Sequence, residues 1–250
     1  MIKDPLLTIA IPTYNRSEIL KLSLLKYQTM SSIFLSNNIE ILIIDNFSDD
    51  STFEIVKEFK INNPAIKLIM NSSNIGGVRN IIKCFKESKS KWTWIMPDDC
   101  YPNKSNLKKL LKFLKIERND AILVGEKNST TMNNFFQKQD LFNTDILTKA
   151  SWLPHVLYST TYCKQNIKIA IDAGKFSYPH LGLFINLIKQ KKELKFLQLN
   201  KIFNSISVKE NHSKYSFISG AAIPFAKIIS LNFDYKSSSR ILKNFQIIQT

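Results

Sequence analysis

The stretch Leu7-Thr8-Ile9-Ala10-Ile11-Pro12-Thr13-Tyr14-Asn15-Arg16-Ser17-Glu18 decides how the chain reads. The apolar run Leu6–Ile11, closed by Pro12, suits a parallel strand buried on both faces. Asn15 with Glu18 three residues on has the spacing of a capping box, and Ile19, Leu20, Leu22, Ser23 and Tyr27 follow at helical intervals. The same unit recurs downstream. Ile39–Ile44 reads as a second strand ending at Asp45, and Ser51-Thr52-Phe53-Glu54 as a second capping box opening a helix to about Lys60. Ile66–Met70 makes a third strand, Asn74-Ile75-Gly76-Gly77 a turn into a helix ending near Glu87, and Trp92–Met96 a fourth strand stopped by Pro97. Ser105–Glu117 is an amphipathic helix and Ala121–Val124 a fifth strand. Repeated β-α units of this length imply an α/β fold: a mostly parallel, Rossmann-like sheet with helices on both faces.

Beyond Gly125 the pattern loosens. Residues 126–150 are polar and read as a long loop or lid. Leu181–Lys191 is a clear helix and Lys195–Leu199 a strand. We expect one domain over residues 1–250, its first half (1–125) binding a nucleotide and its second (126–250) variable.

Composition narrows the class. Of 250 residues 44% are hydrophobic and 22% charged, which excludes collagen-like, disulfide-scaffold and broadly disordered chains. Cys84, Cys100 and Cys163 form no CxxC pair, so neither a zinc ribbon nor a disulfide framework fits, and a reducing, cytoplasmic compartment is expected. The net charge of +15 is lopsided: residues 1–125 hold 18 basic and 13 acidic side chains, residues 126–250 hold 17 and 7. Such a surface favours phosphorylated small molecules, nucleic acid or an anionic membrane. The few apolar residues before Pro12 make no signal-peptide core. No run reaches the roughly 18–20 apolar residues of a spanning helix. Phe217–Phe233, broken by Pro224 and Lys227, could rest on a membrane but not cross it.

Ligands of open α/β sheets bind beyond the carboxyl ends of the strands. Here those ends carry Pro12-Thr13-Tyr14-Asn15, Asp45-Asn46, Asn74–Gly77 and Asp98-Asp99. There is no GxGxxG after the first strand and no GxxxxGK[ST], which argues against a dinucleotide dehydrogenase and a P-loop NTPase. Adjacent carboxylates at Asp98-Asp99 repel unless a cation or solvent screens them. Mg²⁺ or Mn²⁺ takes a few carboxylate oxygens together with substrate phosphates, and a diphosphate leaving group needs such neutralisation. A solvated turn uses the same residues. Asp45 has the same two readings, turn-former or acceptor for a nucleobase N–H.

Four blocks in order resemble family 2 glycosyltransferases of the GT-A fold: Leu7–Arg16, Glu40–Thr52, Asn74–Asn80 and Trp92–Cys100. The resemblance is firm over residues 6–125 and faint beyond. It implies that Pro12 and Thr13 lie along the nucleobase and that Asp45 bonds its edge. Arg79 would approach the nucleotide, with Asn15 and Gly76 in the same donor-binding set. Asp98 and Asp99 would hold Mg²⁺ or Mn²⁺ against the donor diphosphate. Many relatives carry a third acid where this chain has Cys100, and a thiol is a poor partner for a hard cation. Inverting relatives often carry a Glu-Asp pair at a helix start in the second half, the Asp acting as base. Pro179-His180 occupies that place, and an imidazole near its ordinary pKa of about 6.5 could serve. A helix-start histidine facing solvent or hydrogen-bonded to a loop is the plainer alternative, and the residues favour neither. Asp172 is the next candidate base. Trp152 is a candidate platform for a sugar face, although a buried tryptophan is the more common case, and His155 is a candidate lining residue of an acceptor groove. His212 has no visible context, and Lys189–Lys195 reads as a solvated helix end.

The resemblance implies metal-assisted, inverting transfer of a sugar from a nucleotide-diphosphate donor of UDP, dTDP, GDP or CDP type. The acceptor would be a hydroxyl on a glycan or polyprenyl-linked glycan, as in bacterial polysaccharide synthesis, with peripheral contact at the inner membrane face and no nucleic-acid partner. Two other readings remain. A sugar-phosphate nucleotidyltransferase would want a glycine-rich basic loop where Pro12–Asn15 stands. A non-catalytic anion or nucleic-acid binder would want basic and aromatic residues clustered on one element.

Overall fold

A computed structural model describes residues 4–118, 121–125, 135–137, 144–190, 193–199, 201–206, 223–233, 238–239 and 241. β1 (Leu7–Thr13), β2 (Ile39–Asp45), β3 (Ile66–Met70) and β4 (Trp92–Ile95) pair in parallel in the order β3-β2-β1-β4. α1 (Ser17–Gln28), a short α2 (Ser31–Ser36), α3 (Thr52–Asn62) and α4 (Gly77–Glu87) connect them. β1 runs past the expected stop at Pro12 to Thr13. Its pairing with β4 ends at Ala10, so the N–H that Pro12 lacks has no ladder partner to lose on that side.

β5 (Cys100–Pro102) pairs antiparallel with β10 (Phe203–Ser205) as a separate ribbon. α5 (Lys104–Ile116), β6 (Ala121–Gly125), β7 (Phe135–Gln137), α6 (Thr144–Ala150), β8 (Val156–Ser159), α7 (Thr160–Gln165), α8 (Ile167–Gly174), α9 (Pro179–Gln190), β9 (Glu193–Gln198) and α10 (Ile223–Asn232) complete the described chain. The full sheet has the order β3-β2-β1-β4-β8-β6-β9-β7. Only β8 and β7 run against the other six strands, so the sheet is mostly parallel, as expected.

Residues 126–150 are not loop throughout. β7 and α6 lie within them, while 126–134 and 138–143 lie outside the described residues. Ile146, Leu147 and Ala150 fix α6 by burying one face, a signal too short to stand out in polar sequence. His212 and residues 217–222 also lie outside the described residues. In α10, Phe225, Ile228 and Ile229 are buried in the core, so much of that apolar stretch faces protein. Among the described residues no helix is long and apolar enough to cross a membrane.

β1, β2 and β4 are buried on both faces because each face meets a core. Leu7, Ile9 and Ile11 of β1, Ile41 and Ile43 of β2, and Trp94 pack with Leu20, Leu24, Val56 and Leu107 of α1, α3 and α5. Ala10, Leu42, Ile44 and Ile95 point the other way, toward α4, α6, α9 and α10. The indole N–H groups of Trp92 and Trp94 donate to the carbonyls of Leu114 (3.2 Å) and Pro154 (2.8 Å), so neither ring is buried with an orphan donor. α8 and α9 meet where residue 182 has no side chain: a Cβ on Gly182 would lie 2.2 Å from the Ala173 Cβ.

Both expected capping boxes are replaced by one residue. Neither α1 nor α3 has a side-chain cap from its own N-cap position. Asp50 instead accepts from the Ser17 N–H (2.9 Å) and the Thr52 N–H (3.0 Å), serving both helix starts. Burial pushes its carboxyl up, but the donors from Thr52 and Ser17 outweigh that and leave it below the ordinary value.

Candidate active site

β1, β2 and β4 deliver their polar ends to one edge of the sheet. Asp45, the last residue of β2, is fully buried. Its Oδ1 accepts from the Ser48 N–H (3.2 Å) and also from the Ser48 hydroxyl. Its Oδ2 is buried and accepts nothing from any described residue. A buried carboxylate oxygen without a donor is costly, and a ligand N–H would satisfy it.

The loops around Asp45 are held by a buried amide network. Asn46 donates to Asn74 (2.8 Å) and accepts from Asn71 (2.9 Å) and the Ile75 N–H (3.0 Å). Asn71 also donates to Asn80 (3.0 Å), which donates to the Ile44 carbonyl (3.0 Å). A satisfied polar network of this kind fixes loops rigidly.

Beyond β4, Asp98 is 4% exposed. Its Oδ2 accepts from the Thr13 hydroxyl (2.9 Å) and its Oδ1 from Arg16 Nη1 (2.6 Å). Arg16 Nη2 reaches Asp99 Oδ2 at 3.3 Å, so one guanidinium spans both carboxylates. The cation that the Asp98-Asp99 pair calls for is therefore present within the chain. Burial raises the Asp98 carboxyl to about 6 in spite of Arg16 and Thr13, and Asp99 adds to the rise. The Cys100 thiol donates to Asp99 Oδ1 (3.3 Å), and burial together with the charge of Asp99 drives its pKa up, so it stays protonated.

Next to Asp99 and Cys100 opens a cavity of about 470 Å³, lined also by Trp152, Tyr178 and His180. Trp152 is 55% exposed there, placed as a stacking platform would be. His180, in the first turn of α9, is buried, and its Nε2 lies 2.8 Å from the Ser151 carbonyl. A carbonyl only accepts, so Nε2 carries the proton and Nδ1 the lone pair. Nδ1 has no described partner. Burial lowers this imidazole to about 4, against the ordinary value expected from sequence, and the bond to Ser151 offsets only part of that.

The family model of glycosyl transferase family 2 matches residues 8–185. The chain belongs to that family. Over 168 residues it is 26% identical to the poly(ribitol-phosphate) beta-N-acetylglucosaminyltransferase TarS of Staphylococcus aureus (strain MW2), covering 64% of this chain and 28% of TarS. It thus spans under a third of that relative's length. Its fold matches the crystal structure of S. aureus TarS 1–349 in complex with UDP-GlcNAc at a TM-score of 0.65 and 20% identity, covering 96% of this chain and 71% of that one. The mannosyltransferase PcManGT from Pyrobaculum calidifontis, in complex with GDP-Man and Mn²⁺, matches at a TM-score of 0.65 and 12% identity, covering 97% and 69%. The architecture is the GT-A fold.

In this family 2 chain the remaining candidates fall in four places. Pro12 and Thr13 end β1 beside Asp45, but the Thr13 hydroxyl is committed to Asp98. Asn15 (φ 50°) ties the first two loops together: its N–H donates to Ser48 Oγ (2.9 Å) and its Oδ1 accepts from the Asp49 N–H (3.0 Å). Gly76 (φ 83°) makes the turn into α4 in a conformation that glycine takes freely. It lines, with the exposed Arg79, a separate cavity of about 820 Å³ between α4 and α8 that also holds Lys83 and Lys175. Asp172 is an exposed residue of α8 paired with Lys175 (3.1 Å), outside the lining of the His180 cavity. His155 packs edge-on against Phe203 at 5.1 Å, and burial, with a smaller push from Lys149, lowers it to about 4. Sequence reading missed Arg16 as the partner of the acidic pair. The demand for a cation was legible, but which of 35 basic residues met it was not.

Proposed function

We propose that the protein transfers a sugar from a nucleotide-diphosphate donor to an acceptor hydroxyl, with the donor at the carboxyl edge of β1, β2 and β4. The observation that carries this is Asp45 Oδ2, buried without a donor at the strand end where α/β sheets bind ligands. A nucleobase N–H supplies what it lacks. The diphosphate then lies toward Asp98 and Asp99, and the acceptor hydroxyl enters the cavity of Trp152, Tyr178 and His180. Residues 1–125 form the donor half and the remainder the acceptor half.

Asp98 and Asp99 suit Mg²⁺ or Mn²⁺ in donor chemistry, being hard oxygens with lone pairs left after their bonds to Thr13, Arg16 and Cys100. Asp99, 31% exposed, is the better placed to reach a cation, and Arg16 must give way. The protonated Cys100 contributes nothing to such a site. When bound, the metal would neutralise charge on the departing diphosphate.

In the displacement we propose, the acceptor oxygen bonds to the anomeric carbon as the bond from that carbon to the diphosphate oxygen breaks. The nucleoside diphosphate leaves, and the hydroxyl proton passes to His180 Nδ1. Asp99 is the one carboxylate lining that cavity among the described residues, and in this reading it faces the cation. Among those residues no second carboxylate is placed for a covalent intermediate, which favours a single inverting step. The family and the basic chain favour a glycan or lipid-linked glycan acceptor reached at the inner face of a membrane.

Titration of UDP, dTDP, GDP and CDP, with and without Mn²⁺, tests this on the protein and on Asp45→Asn. We expect one base to bind selectively and Asp45→Asn to weaken it at least about 10-fold, the cost of unpairing a buried charged acceptor. Equal binding by both proteins would overturn the assignment.

A further inference from the structure

We infer that Phe47 is the ring that stacks on the donor's nucleobase, an inference that rests on the nucleotide-binding reading above. Phe47 is the second residue after Asp45. Its φ is 67°, the left-handed region that a side chain with a Cβ disfavours and glycine adopts freely. Phe47 is 49% exposed and belongs to neither hydrophobic core. The chain thus gives up backbone ease and apolar burial at one position, and the fold itself gains nothing from either.

The Phe47 backbone is nevertheless held in place. On one side, the Asn46 N–H donates to the Thr13 carbonyl (2.9 Å) and its side chain is bound to Asn74. On the other, Ser48 is bound to Asp45 through both its N–H and its hydroxyl, and its Oγ accepts from the Asn15 N–H. A residue pinned between two such anchors keeps its strained φ, and strain of this kind persists where neighbours over-determine it. The result is an exposed aromatic residue on a fixed backbone, two residues from a buried carboxylate that lacks a donor. One flat ligand satisfies both, offering an N–H edge to Asp45 Oδ2 and a π-face to the ring, and a nucleobase is that shape.

The test compares the protein with Phe47→Gly, Phe47→Leu and Phe47→Trp. The probes are the tightest of UDP, dTDP, GDP and CDP and its base-free sugar 5-diphosphate, titrated while melting temperature is followed. Phe47→Gly should melt no lower than the parent, because glycine relieves the backbone, yet bind the nucleotide roughly 10-fold more weakly, the size of a base-aromatic contact. Binding of the base-free diphosphate should not change, Phe47→Leu should fall between, and Phe47→Trp should restore affinity. If Phe47→Gly and Phe47→Leu bind the nucleotide as the parent does, the stacking role is wrong while the Asp45 assignment stands. If Phe47→Gly weakens both probes alike and melts lower, the ring is structural and the inference fails. If the parent binds no nucleotide, the donor reading fails and takes this inference with it.

Discussion

Replacing Asp98 by Asn should make the ligand-free protein more stable at neutral pH. Asp98 is 4% exposed, and burial raises its carboxyl from 3.8 to about 6 even with Arg16 and Thr13 bonded to it. An acid whose folded pKa exceeds its unfolded one stabilises the fold fully below the unfolded value and loses that stability as pH rises through the folded value. At about 1.4 kcal/mol per unit, the ionised form at pH 8 forgoes at most about 3 kcal/mol. Asn imitates the neutral acid, although its NH₂ meets the Arg16 donor, so a gain of about 1–2 kcal/mol is expected. For a chain of this size that is a rise in melting temperature of about 2–8 °C. The assay is thermal unfolding of both proteins from pH 8 to pH 4. The gap should be widest at pH 7–8 and close toward pH 4 as Asp98 of the parent takes up its proton. Effects of titrating groups that do not interact with Asp98 cancel in the difference. A variant less stable at pH 8, or a gap that does not change with pH, would refute the reasoning.

Three further perturbations address other parts of the account. Gly182→Ala puts a Cβ 2.2 Å from that of Ala173 and should cost about 1–3 kcal/mol in denaturant unfolding, with Ala173→Gly in the same chain recovering part of it. His180 and His155 sit near 4 in the fold, so their stabilisation is full above about pH 6.5 and lost as pH falls through 4. His180→Gln should flatten the acid side of the stability curve, and kcat/KM of the parent should show no imidazole limb between pH 5.5 and 8. Arg16→Met leaves Asp98 and Asp99 without their cation and should cost about 2–4 kcal/mol at pH 8. Mn²⁺ should restore more of the melting temperature in that variant than it adds to the parent, and no difference would count against a metal at these carboxylates.

The first half was legible because β1, β2 and β4 are buried on both faces and its helices are regular. Ile39–Ile44 and Ile66–Met70 are apolar but for Glu40 and Lys67, a signal that no loop would need, and the polar residues after the strands mark the edge where α/β sheets bind ligands. What stayed hidden depends on contacts between distant residues. Asp50 caps two helices, 33 residues back to Ser17 and two forward to Thr52, and only the folded loops bring those ends together. Arg16 reached Asp98 across 82 residues in the same way. His180 was singled out by the family resemblance, which puts a base at that helix start, but its pKa comes from burial among α9 and its neighbours, which spacing does not report. β8 escaped notice because it is four residues long and runs against the sheet.

A crystal structure with the tightest-binding nucleoside diphosphate and Mn²⁺ tests the central claim most directly. The account predicts the base edge donating to Asp45 Oδ2 and the diphosphate beside Asp98 and Asp99, with Arg16 drawn off Asp99. A nucleotide seated instead in the cavity between α4 and α8, with Asp45 Oδ2 still unpaired, would contradict it.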